Sequence, residues 1–214
     1  MTDLVHFRVE HPDGERNRWT AAFRPILAIP HAILVGGPLV GFHPRWARTG
    51  VLGMVALTCA LLDWFAILFL GRSIEGLRYF KRLYLGWRAR LLAYGCYLRD
   101  EYPPFGDGPY PAWLELPDEP EPRDRVAVGL RIFTLIPHLV VLFALVFAQA
   151  FVCIASWFSI VFTRRLGDRL WRFTRDVTDY VLRVESYALL MHDRFPSFSL
   201  SAEPAAAPAA EQHA

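Results

Sequence analysis

The chain has 214 residues, of which 54% are hydrophobic and 14% aromatic, and a formal net charge of +2. A balance so close to neutral excludes nucleic-acid binding by bulk charge. The apolar share exceeds the roughly 45–50% usual in soluble domains, and it falls in blocks that suit lipid better than a soluble core.

The first twenty residues are polar, with no run resembling a cleaved signal peptide, so the first apolar block is expected to direct insertion itself. Val5 to Glu10 alternates apolar and polar residues, which predicts a short strand closed by His11-Pro12-Asp13-Gly14. Ala112 to Leu116 is its loose counterpart, and whether the two pair is left open by the pattern. Residues 21–42 form a first apolar span, long enough for a hydrocarbon core of about 30 Å. The loop His43-Pro44-Arg45-Trp46-Ala47-Arg48-Thr49-Gly50 follows, then a second span at 51–70 stopped by Arg72. Residues 77–99 carry Leu77, Phe80, Tyr84, Trp87, Leu91, Tyr94 and Leu98 at helical steps, with Arg78, Lys81, Arg82 and Arg88 elsewhere on the helix. Lys81 is the only lysine; the other cations are arginines, a bias that fits a GC-rich bacterial genome.

The chain then repeats itself. Asp63-Trp64-Phe65 returns as Ser156-Trp157-Phe158, and the offset of 93 holds through Arg90 and Arg183 to Asp100 and Asp193. Upstream, Arg24, Pro30 and His31 match Arg131, Pro137 and His138 at an offset of 107, so the second copy is fourteen residues shorter. An internal repeat decides architecture before single residues do. Its apolar run, Val126 to Thr163, permits either a hairpin turning near Gln149 or one spanning helix preceded by an interfacial segment broken at Pro137. Two hairpins place every dense arginine cluster on one side of a membrane, so spans at 126–146 and 149–163 are preferred. An amphipathic helix over 169–192 follows, and 201–214 is predicted to be a disordered tail.

The predicted fold is an all-α membrane protein of two repeats, 1–106 and 107–200, each a transmembrane hairpin followed by an interfacial amphipathic helix, with a short strand before each. The two amphipathic helices could equally pack on each other. A multi-pass protein of the bacterial plasma membrane with both termini cytoplasmic is the expected placement.

Ile29-Pro30-His31, Trp64-Phe65-Ala66-Ile67-Leu68-Phe69 with Gly71-Arg72, then Trp87, Arg90, Tyr94, Asp100 and Tyr102-Pro103-Pro104-Phe105 together resemble a bacterial membrane family, domain of unknown function 4389. The resemblance covers nearly the whole chain as two copies. Ser73-Ile74 after Arg72, and Ser197 in place of a second proline, depart from the family pattern. The family implies a membrane location and no established activity.

Candidate site residues follow from polar groups inside apolar blocks. Arg24 and Arg131 could hold a lipid phosphate through bidentate contacts, and Arg82, Arg88, Arg90, Arg175 and Arg183 could serve a lipid or protein partner. Asp63, with Arg24 or Arg72 as the nominated partner, and the matched His31 and His138 form a possible intramembrane polar site. No catalytic grouping, cofactor or metal site is recognised; Cys59, Cys96 and Cys153 share no metal-ligand spacing and suit apolar packing. The function expected is a non-catalytic membrane component that binds a protein partner or anionic lipid. The alternative is a small transporter or ion pathway with its site between repeats, which requires Asp63, His31 and His138 to share one cavity. An enzyme acting on lipid ranks third.

Overall fold

The computed structural model describes residues 5–12, 14–37, 45–118 and 122–200. The end of the first expected span and the 201–214 tail lie outside them. In chain order the elements are β1 (His6–Val9), α1 (Arg18–Leu27), α2 (Ile29–Val35), α3 (Arg45–Leu70), α4 (Glu75–Gly95), β2 (Ala112–Glu115), α5 (Arg125–Gly129), α6 (Arg131–Thr163) and α7 (Asp168–Ala188). Gly50–Leu70 and Arg131–Thr163 are long and apolar enough to cross a membrane.

Local chemistry sets the helix ends. Asn17 caps α1 by accepting from the backbone of Trp19 and Thr20, and Asp124 caps α5 by accepting from Val126 and Ala127. At the other end, α4 and α7 close with matched capping turns. Leu98 N bonds Ala93 O while Tyr97 N bonds Tyr94 O, and Met191 N bonds Ser186 O while Leu190 N bonds Tyr187 O. The left-handed position, where glycine is usual, is held by Tyr97 (φ 67°) and Leu190 (φ 59°). Something must offset that strain, and two buried arginines per turn supply it, as described below.

The strands do pair. β1 and β2 run antiparallel with Phe7 opposite Leu114 and Arg8 opposite Trp113. Their inner face joins Ala89, Leu92, Trp171 and Leu182 in one core cluster, so this two-stranded sheet covers one side of the α4–α7 layer. A second cluster sets Ala28, Val35, Ala56 and Ala60 against Tyr84, Trp87 and Leu91, with α2 and α3 on the other side. The order is sheet, then α4 with α7, then the apolar helices.

This layering corrects the interfacial placement of the amphipathic helices. From Tyr84 to Tyr94 every residue of α4 except Gly86 is buried, and α7 likewise buries Val177 to Tyr180 and Leu182 to Val184. The apolar stripe of α4, with Tyr84, Trp87 and Leu91, packs on α2 and α3, while Ala89 and Leu92 on another side of the helix share a cluster with Trp171 and Leu182 of α7.

The preferred hairpin of the second copy is also overturned. α6 is a single helix of 33 residues, and no turn occurs at Gln149. No glycine or proline lies between Pro137 and Thr163, so nothing breaks the ladder. Gln149 instead points inward and donates to Thr174 Oγ1 at 3.1 Å. In the first copy the fourteen extra residues allow a reversal between α2 and α3. α3 starts its regular stretch after a kink at Gly50 (φ 66°), where a Cβ would stand 2.4 Å from Gly36 N and from Leu34 O. Only glycine lets the two helices meet this closely.

Candidate functional site

Arg24, 1% exposed, reaches the end of α4. Its guanidinium donates to Tyr94 O and Arg99 O at 3.0 Å each and to Asp100 at 2.5 Å, and it lies 4.7 Å over the rings of Tyr94 and Tyr97. Arg16 donates to Tyr97 O at 2.8 Å and grips Asp100 with both Nε and Nη2. The same contacts recur at α7. Arg131 donates to Tyr187 O (2.9 Å), His192 O (2.7 Å) and Asp193 (3.0 Å), while Arg123 donates to Leu190 O (3.2 Å) and Asp193 (2.6 Å). Orphan carbonyls at a helix C-terminus carry partial negative charge, and each buried arginine pair neutralises one such end. Burial opposes ionising Asp100 and Asp193, but the hydrogen bonds and charge of Arg16 with Arg24, and of Arg123 with Arg131, hold both carboxyls below the usual range. Arg24 and Arg131 are therefore latches inside the fold rather than groups reaching to lipid phosphate.

Three more expected binding arginines turn inward as well. Arg88 donates bidentately to Glu185 on α7 and to the carbonyls of Val35, Gly36 and Gly37 at the end of α2. Burial works against its charge, yet Glu185 keeps it above the ordinary arginine range. Arg90 holds Gly106, Asp107 and Gly108 of the tail after α4. Arg183 holds Ser197 and Ser199 of the tail after α7 and pairs with Asp179 at 2.9 Å. Arg82 and Arg175 stay nearer the surface, paired with Asp118 and Asp176.

His31 and His138 do not meet. Trp87 Nε1 donates to His31 Nδ1 at 2.9 Å, and the ring stacks on Phe105 at 4.2 Å. His138 Nδ1 bonds Tyr180 at 2.8 Å and its ring stacks on Phe198 at 4.4 Å. Each is sealed by the aromatic-proline tail of its own copy. Both Nε2 atoms are buried without a hydrogen-bond partner among the described residues. Asp63 has yet another set of partners: Lys81 and Ser73 at 2.6 Å each, and Ile74 N at 2.8 Å. The nominated partners Arg24 and Arg72 are not used. The three polar residues of the transporter reading thus sit in three separate environments.

Two exposed groups were missed. Arg16 N bonds Arg164 O and Arg123 N bonds Gly71 O, both at 2.9 Å, so the start of each copy is tied to the chain just past the long apolar helix of the other. Arg18 and Arg165 are exposed at the first junction, Arg72 and Arg125 at the second. Their neighbours in sequence are exposed and apolar: Trp19 (70%), Phe162 (72%), Phe69 (75%) and Val126 (69%). Beside the first junction a cleft of about 320 Å³ is lined by His11, Glu15, Arg16, Arg165 and Trp171 among others. The matched offsets of Arg18 with Arg125, and of Arg72 with Arg165, were available in the sequence; their convergence was not.

A family profile, Domain of unknown function (DUF4389), matches residues 44–106 and again 125–199. No curated protein and no solved structure matches the chain. Among the described residues no group of three His, Cys, Asp or Glu side chains could hold a metal ion.

Proposed function

Since the chain belongs to the family of domain of unknown function 4389, which carries no activity to inherit, we propose from its own geometry that it is a non-catalytic membrane component that gathers anionic lipid at two basic junctions. Each copy contributes one exposed arginine to each junction, Arg18 and Arg72 from the first and Arg165 and Arg125 from the second. The observation that carries this reading is the placement of exposed arginines, Arg18 with Arg165 and Arg72 with Arg125, at the rim of an exposed apolar surface. An arginine near an anionic surface contributes about 1 kcal/mol, and the apolar side chains beside it supply the anchoring that charge alone lacks.

Flotation of the full chain with vesicles tests it. Binding is expected to be stronger with phosphatidylglycerol than with phosphatidylcholine alone. Changing Arg18 and Arg165 to Gln should lower the affinity for phosphatidylglycerol vesicles roughly thirty-fold, from about 2 kcal/mol, and leave phosphatidylcholine binding in place. Equal binding to both vesicle types would point instead to a protein partner, sought by purification in mild detergent.

A further inference from the structure

Resting on the membrane reading above, we infer that the apolar helices lie flat within one leaflet and that the chain is monotopic, its partner being the acyl chains of a single monolayer. The gradient of polarity runs across the helices rather than along them. On α6 the exposed apolar residues follow one stripe at steps of three and four, from Ile132 through Val140, Phe147 and Ile154 to Phe162. That stripe is about 45 Å long at 1.5 Å per residue. Standing upright it would overrun a hydrocarbon core of about 30 Å, and fitting it by tilting needs about 48°, outside the range of about 0–40° seen for spanning helices.

The layer beneath gives a second, independent argument. α6 runs antiparallel along α7: Arg131 bonds Tyr187 O, His138 bonds Tyr180, and Gln149 bonds Thr174. The midpoint of the apolar stripe therefore lies level with the α7 segment that carries exposed Arg172 and partly exposed Arg175 and Asp176. An upright α6 would bring those charges to the middle of the bilayer, where they are costly. The first copy shows the same crosswise contrast. Asp63 bonds Lys81, and at that level α3 exposes Leu61 and Leu62 while α4 exposes Arg82. Lying flat places all of the charges in water and all of the apolar stripe in lipid. One helix diameter, about 10 Å, also matches the depth to which interfacial helices sink. Both ends of α6 then meet the headgroups on the same side, which is where Arg125 and Arg165 stand.

The test uses the full chain in sealed membrane vesicles of the expressing cell, right-side-out and inverted, with a membrane-impermeant maleimide. The exposed sites Pro122 and Arg169 flank α6, and each is changed singly to cysteine; the native cysteines are buried. Flat placement predicts that Pro122→Cys and Arg169→Cys are both modified in one vesicle preparation and both protected in the other. Modification in opposite preparations means that α6 crosses, and overturns the inference while leaving the membrane reading intact. Failure of the chain to sediment with membranes, with a dimer in solution, assigns the apolar face to a second copy and overturns both. Fluorophores at Ile132→Cys, Phe147→Cys and Phe162→Cys with depth-dependent lipid quenchers give the second measurement. Equal depths support flat placement; a deeper central site overturns it.

Discussion

Asp63 and Lys81 form a charge pair that the second copy does without. Both side chains are sealed from solvent 2.6 Å apart, and the matching positions hold Ser156 and Thr174, also buried. A buried pair adds little over a neutral replacement, but removing one partner strands the other charge at about 3–5 kcal/mol. Lys81→Met should lose that much in denaturant unfolding, and Asp63→Ser combined with Lys81→Thr should recover more than half; an equal loss in both would show that the two copies' solutions are not interchangeable. Asp63 is conspicuous in the sequence, but the charge counts there point to arginine partners, Arg24 or Arg72. The one lysine stood eighteen positions on, across a turn no local pattern describes. Arg24 and Arg131 were equally visible as a matched pair, but their direction depends on where α4 and α7 end, which is a tertiary fact. His192 carries a prediction of its own. Burial, with Arg131 next in weight, pushes its imidazole down to about 4. The unfolded chain, with an ordinary value of about 6.5, binds more protons between those limits. Stability is therefore fully present above pH 6.5 and falls as pH drops toward 4, by on the order of 3 kcal/mol. Asp100 and Asp193, held low, add their loss only as pH falls below about 3.9. His192→Gln should flatten the slope between pH 6.5 and 4; an unchanged slope would assign it to another group.

At the scale of the element, Gly50 decides whether α2 and α3 can fold against each other. Alanine there combines a left-handed φ with a Cβ 2.4 Å from backbone atoms of Leu34 and Gly36, and an expected loss of about 3 kcal/mol follows. Gly86, inside α4 with nothing within 4 Å of its would-be Cβ, is the control; Gly86→Ala should gain about 0.5–1 kcal/mol. Thermal unfolding of the two variants in detergent should move in opposite directions, and a loss in both would mean that the Gly86 face is tighter than its geometry. Most helices were legible because apolar residues at steps of three and four say where a helix must bury a face. The unbroken course of α6 past Pro137 is legible too, in the lack of glycine and proline from there to Thr163, although arginine counting favours a hairpin. That rule assumes that helices cross, and a helix lying flat escapes it. The buried middle of α4 was hidden for a similar reason: its arginines look solvated until Glu185 and the carbonyls of α2 are placed beside Arg88.

For the whole molecule, the two copies are completed only by each other. α1 packs on the far end of α6, with Ala21 against Cys153 and Ile160, while α5 packs on the far end of α3, with Val128 against Ile67. Trp64, matched by Trp157 in the second copy, spends its indole N–H on Val128 O in the other copy at 3.0 Å. Among the described residues β1 pairs with β2 alone, and Asp179 on α7 accepts the backbone N–H of Phe7 at 2.7 Å. A chain cut between the copies would leave each half with an unpaired strand, an unseated first helix and an exposed seat on its long apolar helix. A domain's typical net stability of about 5–15 kcal/mol leaves little room for such losses. Residues 1–118 and 119–214 expressed as separate chains should therefore fail singly and co-purify one to one when made together, with a tag on either half capturing the other. Two halves that each ran as monomers with cooperative unfolding would show that the exchanged contacts decorate two finished domains. One-to-one capture would show instead that the junctions carrying Arg18 with Arg165 and Arg72 with Arg125 exist only in the joined molecule.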